Sequence, residues 1–157
     1  MGIVSPKLIF ANMQFADCRQ AISYLADQLY HNDYVKASFK ASILKREEAF
    51  PTGLPVGENA VAIPHTDWQN VNRSTIAVAT LTKPVLFRNM AAKQQTLHVR
   101  IIIMLAINHP HGQVKLLSRV MQLVQNKEHL DRLLSYKTKK ALYEDFDQEF
   151  AGLQLET

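Results

Sequence analysis

The chain of 157 residues contains a single cysteine, Cys18, so no disulfide can form within it. A lone thiol is typical of proteins from a reducing compartment, and we expect a cytoplasmic protein. Long hydrophobic runs are also missing. The longest, around Val99–Ile107, has the length of a strand and is too short to cross a bilayer. We therefore expect no direct membrane insertion, and residues 1–7 also lack the charged-then-apolar order of a signal peptide.

Glycine-rich phosphate loops do not occur either. Neither G-x-G-x-x-G nor the Walker pattern is present, which argues against a nucleotide-dependent enzyme. The formal net charge of +4 is compatible with an acidic partner. The basic residues are spread out, however, and the densest group, Lys137, Lys139 and Lys140, fits a solvated helix face. No helix-turn-helix or zinc-finger pattern accompanies them, so we expect no nucleic-acid partner.

The first third of the chain predicts a short strand and two helices. Asp17 is suited to cap the first helix, with Gln20 three residues later as its reciprocal partner. Asn32-Asp33 indicates a break. Val35, Phe39 and Ile43 then form the apolar stripe of a second helix that ends near Arg46. The proline- and glycine-rich stretch Phe50–Gly57 predicts a loop.

The rest of the chain predicts a block of strands followed by three helices. Lys83-Pro84 indicates a turn after the β-branched strand, and the nearly continuous apolar run that comes next suits the centre of a covered sheet. Helices therefore precede and follow the strands, which predicts an α/β sandwich in a single domain. The predicted strands are Ala60–Ile63, Ser74–Leu81 and Val99–Ile107, and the predicted helices are Gly112–Gln125, Glu128–Leu134 and Thr138–Phe146.

His65 is the strongest candidate for chemistry. Pro64 fixes the backbone before it, and Thr66 and Asp67 after it are able to hydrogen-bond the backbone locally. This sequence predicts a stiff turn that presents an imidazole at the end of a strand, where α/β proteins tend to place their sites. Local features alone leave open a turn histidine with no chemical role.

Arg46 lies in a charged run, Lys45–Glu48, that fits either a solvated helix end or a phosphate-binding position. If the fold brings Arg46 and His65 together, the pair forms a site for a histidine that carries a phosphoryl group. Phe50, Leu54 and Trp68 are candidates for an apolar rim around it.

His109-Pro110-His111 follows the long apolar strand and precedes a helix. Its histidines could support His65, bind a metal or simply form a loop, and the amides at Gly112–Val114 could receive an anion. A metal needs three or four ligands, and the scattered carboxylates offer no clear set, so we expect no metal.

Three segments together resemble the type 2 IIA domains of the sugar phosphotransferase system, the mannitol/fructose class. They are Arg46-Glu47-Glu48 with Pro51-Thr52-Gly53-Leu54, Val61-Ala62-Ile63-Pro64-His65, and Gln113-Val114-Lys115-Leu116-Leu117-Ser118. The resemblance extends from about Pro6 to Phe146 and implies one domain over residues 1–157. It also implies a central mixed β-sheet flanked by helices on both sides.

The resemblance further implies the chemistry. His65 would accept phosphate from the phosphocarrier protein HPr and pass it to a cysteine of a IIB component that works with a membrane IIC component. Arg46 would stabilise the phosphate, and no cofactor is implied.

One departure from the family concerns a second histidine that many members carry after the long strand. Here Gln113 takes the aligned position and His111 lies two residues earlier, so either residue could serve. Pro-His-Thr-Asp and His-Pro-His-x-Gln-Val are more like the galactitol-type proteins. The alternative is a nitrogen-type regulator, in which phosphorylation controls partner binding.

Overall fold

The computed structural model describes residues 2–153, and within this range it contains five strands and five α-helices. The strands are β1 (Ile9–Met13), β2 (Gly53–Val56), β3 (Asn59–Ala62), β4 (Thr75–Asn89) and β5 (Ala92–Ala106). The helices are α1 (Cys18–His31), α2 (Phe39–Ala49), α3 (Pro110–Gln125), α4 (Lys127–Ser135) and α5 (Lys139–Glu149). The three predicted C-terminal helices are confirmed, each with bounds that differ by a few residues at most. None of the helices within residues 2–153 has both the length and the apolar character needed to span a membrane.

The sheet is mixed, as the resemblance implied. β4 and β5 form a long antiparallel pair in which Val78 lies opposite Ile103. β1 runs parallel to β4, β3 runs parallel to β5, and β2 is antiparallel to β3. His65 follows β3 and α3 follows β5, so these two parallel neighbours deliver their carboxyl ends to the same edge of the sheet.

Helices cover both faces of the sheet, and the alternation of residues along β4 shows it. Ile76 and Val78 belong to one core, while Ala77 and Ala79 belong to the other. Burial on both faces explains why the central strands read as continuous apolar runs. The first core contains Leu25 and Leu29 of α1 with Phe39 and Ile43 of α2, and the second contains Leu116 and Val120 of α3, Leu130 of α4, and Leu142 and Phe146 of α5.

The predicted start of α1 is confirmed. The Asp17 carboxylate accepts a hydrogen bond from the Gln20 amide at 2.8 Å, and the Gln20 side chain accepts one from the Ala16 amide. The prediction for the next helix was less accurate. Val35 lies before α2 and forms an isolated bridge with Val71, because the chain turns at Asp33 and enters α2 only after Ser38.

One predicted turn lies inside a strand, and one predicted loop contains a strand. β4 runs straight through Lys83-Pro84, and a register shift between Thr80 and Val85 leaves Pro84 exposed without breaking the β4–β5 ladder. The stretch predicted as a loop, Phe50–Gly57, contains β2. Its pairing with β3 depends on a tight turn in which Gly57 adopts a positive φ of 60°.

Gly53 marks a close approach between β2 and the end of β4. It pairs with Asn89, and a Cβ atom added to it would lie 2.5 Å from the Arg88 carbonyl oxygen. We predict that Gly53→Ala lowers the free energy of unfolding by about 1–3 kcal/mol, because the backbone must shift to relieve the clash. Urea unfolding measures the change. Gly2→Ala, with 3.5 Å to its nearest neighbour, serves as the control, and equal losses in both variants would contradict the prediction.

Candidate functional site

The His65 side chain is held by the backbone just before it. Its Nδ1 lies 2.9 Å from the carbonyl oxygen of Ile63. A carbonyl only accepts hydrogen bonds, so this geometry places the proton on Nδ1 and leaves the lone pair on Nε2. The Pro64 carbonyl accepts a hydrogen bond from the Leu105 amide at 3.0 Å, which fixes the turn to β5. The half-buried ring is therefore fixed in tautomer and anchored at the edge of the sheet.

One face of α2 carries both Arg46 and the contacts that hold the His65 turn. Ser38, Ser42 and Arg46 follow one another at four-residue spacing, which places them on one side of the helix. The Ser42 hydroxyl lies 2.5 Å from the Thr66 hydroxyl, and the Ser38 hydroxyl donates to the Asn70 side chain at 2.7 Å. Arg46 is thus one helical turn beyond the residue that anchors the neighbour of His65.

The positive charge of Arg46 acts on the imidazole of His65. Burial is the largest cause that lowers the pKa of His65 below 6.5, and the positive charge of Arg46 lowers it further, whereas the hydrogen bond to Ile63 acts in the opposite direction. The Nε atom of Arg46 is buried and has no hydrogen-bond partner among residues 2–153. Its guanidinium carbon lies 5.3 Å from the centroid of the Phe50 ring.

Gln113, and not His111, makes the hydrogen bond to the histidine turn. The Gln113 side-chain amide donates to the Thr66 carbonyl at 3.1 Å, so α3 reaches the residue next to His65. His111 is exposed in the first turn of α3, and its ring lies 5.4 Å from that of His109.

The expectation of a free anion-binding helix start at Gly112–Val114 is wrong for its first two amides. The Gly112 amide donates to Nδ1 of His109 at 3.4 Å, and the Gln113 amide donates to the His109 carbonyl at 3.0 Å. His109 also accepts from the His111 amide, so it serves as the N-cap of α3.

Exposed apolar side chains belong to the segments that form the site. Phe50 is 64% exposed, Trp68 is 40% exposed and Val114 is 70% exposed. Leu54, the third predicted rim residue, is half-buried and packs against the second core instead. Val114 lies in the family-like segment Gln113–Ser118, but nothing in the sequence marked its side chain as exposed, so it was not predicted as a rim residue.

A buried carboxylate, Glu47, lies beside Arg46 in the last turns of α2. Its two oxygens accept hydrogen bonds from the amide and the hydroxyl of Thr52, both at 2.8 Å. The Thr52 hydroxyl oxygen in turn accepts from the Ile63 amide at 3.1 Å. Burial raises the pKa of Glu47 above 4.5, although the Thr52 hydrogen bonds oppose the rise.

A second polar cluster ties α4 to α5. Asp145 accepts hydrogen bonds from His129, Arg132 and Tyr136 at 2.8, 2.9 and 2.6 Å. Burial alone would raise the pKa of Asp145, but these three hydrogen bonds outweigh it and lower the pKa. With Glu149, this set could offer three ligands to a metal. The protein's own donors already satisfy the Asp145 carboxylate, so its chemistry fits a structural network.

The comparisons with known proteins agree with the fold and identify the family. Residues 2–149 match the model of the phosphoenolpyruvate-dependent sugar phosphotransferase system EIIA 2 family. The chain belongs to this family, whose members are phosphotransferase components of a phosphate relay.

Similar individual proteins include transport components and a regulator. The galactitol-specific EIIA component of Escherichia coli K12 is 24% identical over 125 residues, which cover 80% of this chain and 83% of the relative. The complex of E. coli enzyme IIAMtl with phosphorylated IIBMtl contains a similar fold (TM-score 0.73, 22% identity, 95% of this chain and 97% of that one). The nitrogen regulatory protein IIA-Ntr of Neisseria meningitidis is similar too (TM-score 0.72, 21% identity, 90% of this chain and 94% of that one).

The burial of His65 and the charge of Arg46 predict a measurable titration of the imidazole. We expect His65 to titrate below 6.5 in NMR, and Arg46→Gln to raise its pKa by removing one of the two causes that lower it. Arg46→Lys keeps the charge and is the matched control. Because the folded chain resists a proton that the unfolded chain accepts near 6.5, His65 should also reduce stability as the pH falls below that value. An NMR titration midpoint of His65 at or above 6.5 in the wild-type protein would contradict this prediction.

Proposed function

We propose that this protein carries a phosphoryl group on Nε2 of His65 as the IIA step of a sugar phosphotransferase system. The observation that supports the proposal best is the pair formed by an imidazole with a free Nε2 and an arginine whose buried Nε has no partner among residues 2–153. A buried donor without a partner is costly, and a phosphoryl oxygen would satisfy it.

In the proposed transfer, the Nε2 lone pair of His65 attacks the phosphorus atom held on a histidine of the donor protein. The new P–Nε2 bond forms as the donor's P–N bond breaks, and the electron pair of that bond returns to the donor ring. The Nδ1 proton stays on its hydrogen bond to Ile63 throughout. In the second half-reaction a cysteine sulfur of the acceptor attacks the same phosphorus atom, and the P–Nε2 bond breaks.

Arg46 would act by electrostatics. The transition state of phosphoryl transfer spreads negative charge over three oxygens, and a preorganised guanidinium stabilises that charge without rearrangement. Gln113 would act through the turn, because its amide holds the Thr66 carbonyl and so limits movement of the neighbouring His65. We favour Gln113 over His111 for the position of the family's second active-site histidine, since Gln113 makes the hydrogen bond to Thr66.

The partners we propose are HPr as donor and a IIB component with its membrane IIC component as acceptor, all meeting the protein in the cytoplasm. A carrier must be reached by two proteins in turn, so its nucleophile needs an accessible surface around it. The exposed side chains of Phe50, Trp68 and Val114 provide apolar anchors for such contacts.

Within the family, similarity to the galactitol-specific component favours a galactitol-like transport role. The alternative is a regulatory protein, and the similarity in fold to IIA-Ntr is compatible with that role. Incubating the phosphorylated protein with IIB components of the galactitol and mannitol systems separates the two. Rapid transfer to a IIB cysteine supports transport, whereas a stable phosphoprotein in the presence of both supports regulation.

The central prediction concerns His65 itself. With phosphoenolpyruvate, enzyme I and HPr, we expect the protein to gain the mass of one phosphate, in an acid-labile bond that maps to His65. His65→Ala should gain none because the nucleophile is absent, while His111→Ala should be labelled like the wild type. Full labelling of a folded His65→Ala variant would reject the proposal.

Arg46 gives a second, quantitative prediction. Arg46→Ala should slow phosphoryl transfer roughly 10²-fold or more in single-turnover kinetics, since it removes the charge that stabilises the transition state. Arg46→Lys should recover part of the rate, as it restores charge without the planar fork. A wild-type rate in Arg46→Ala would reject a role for Arg46 in the transfer.

A further inference from the structure

We infer that Glu47 and Thr52 are positioning residues that hold the His65 ring in the orientation required for transfer. This inference rests on the proposed function of His65. The Glu47–Thr52 link, by which we mean the three hydrogen bonds that join Glu47, Thr52 and the Ile63 amide, is buried and is used by no step of the transfer itself.

Donor and acceptor rules fix the direction of every bond in the link. The amides of Thr52 and Ile63 are able only to donate, so Glu47 accepts the first and the Thr52 hydroxyl oxygen accepts the second. The single hydroxyl proton of Thr52 must then point at the other carboxylate oxygen of Glu47. Glu47 thus accepts both donors of Thr52, and the Thr52 hydroxyl oxygen accepts the third hydrogen bond, from the Ile63 amide.

Ile63 connects this link to the imidazole. Its amide is held by Thr52, and its carbonyl accepts the Nδ1 proton of His65. Ile63 is fully buried at the end of β3, so fixing its amide fixes the direction in which its carbonyl points. Through Thr52 and Ile63, the Glu47 carboxylate on α2 thus fixes the position of the His65 ring.

The same link sets the spacing between the two proposed functional groups. Glu47 is the residue after Arg46 on α2, while Ile63 lies two residues before His65. A rigid hydrogen-bonded connection between them prevents the helix and the strand end from moving apart. Such positioning matters because a displacement of about 1 Å can cost about 10² in rate.

Glu48 provides a matched control for Glu47. Both carboxylates line the same cavity of about 380 Å³ between α1, α2 and the β4–β5 hairpin, together with Cys18, Arg19 and Arg88. Glu48 is exposed, however, whereas Glu47 is buried and bound to Thr52. Glu48→Gln therefore removes a neighbouring negative charge without breaking the Glu47–Thr52 link.

The first test measures the ring directly in the unphosphorylated protein. Long-range ¹H–¹⁵N NMR should show wild-type His65 protonated at Nδ1. Thr52→Val keeps the shape of the side chain but leaves the Ile63 amide without its acceptor, and we expect the Nε2–H tautomer to become populated. Thr52→Ser retains the hydroxyl and should restore the wild-type spectrum.

The second test measures transfer from phosphorylated HPr. We expect Thr52→Val to slow the transfer about 10-fold or more per folded molecule. Thr52→Ser should recover the wild-type rate. Glu47→Gln should transfer phosphate more slowly than Glu48→Gln. If Thr52→Val does not fold, the comparison of Glu47→Gln with Glu48→Gln decides alone. Wild-type tautomer and rate in folded Thr52→Val, or equal rates in the two glutamine variants, would overturn the inference. Wild-type protein that takes up no phosphate would instead reject the proposed function, while the tautomer measurement still reports on the link.

Discussion

The hydrogen bond from His65 Nδ1 to the Ile63 carbonyl is the constraint on which the site depends. An imidazole has two nitrogens, and only the unprotonated one is a nucleophile. By occupying Nδ1 with its own backbone, the chain directs the lone pair of Nε2 away from the turn. Burial and the charge of Arg46 both lower the pKa of the ring and keep it neutral, so proton position and protonation state favour the same nucleophilic form.

Three separate elements hold the short turn that carries this ring. Ser42 on α2 contacts the Thr66 hydroxyl, Gln113 on α3 holds the Thr66 carbonyl, and Leu105 on β5 binds the Pro64 carbonyl. These elements come from both layers of helices and from the middle of the sheet. The rigid core therefore fixes the position of a half-buried side chain at the edge of the sheet. Under the proposed function, this preorganisation would keep reorganisation small during transfer.

Patterns with a local physical cause were predictable from the sequence. The Asp17–Gln20 cap, the apolar runs of β4 and β5, and the prominence of Pro64-His65 all follow from spacing and side-chain chemistry. Features that depend on distant partners were not. Pro84 reads as a turn until a register shift in the β4–β5 ladder accommodates it, and the short strand β2 exists only because β3 and the end of β4 pair with it. In the sequence Glu47 looked like a surface charge, because no local pattern indicates that its carboxylate accepts two hydrogen bonds from Thr52.

The thiol of Cys18 is kept protonated by its surroundings. It opens α1 and lines the cavity next to Glu47, where burial, followed by the negative charge of Glu47, raises the pKa of its thiol. The thiolate is the form of cysteine that attacks electrophiles, so at neutral pH this sulfur stays in its unreactive protonated state. The same buried carboxylate that binds Thr52 thereby helps to keep the thiol of Cys18 out of nucleophilic chemistry.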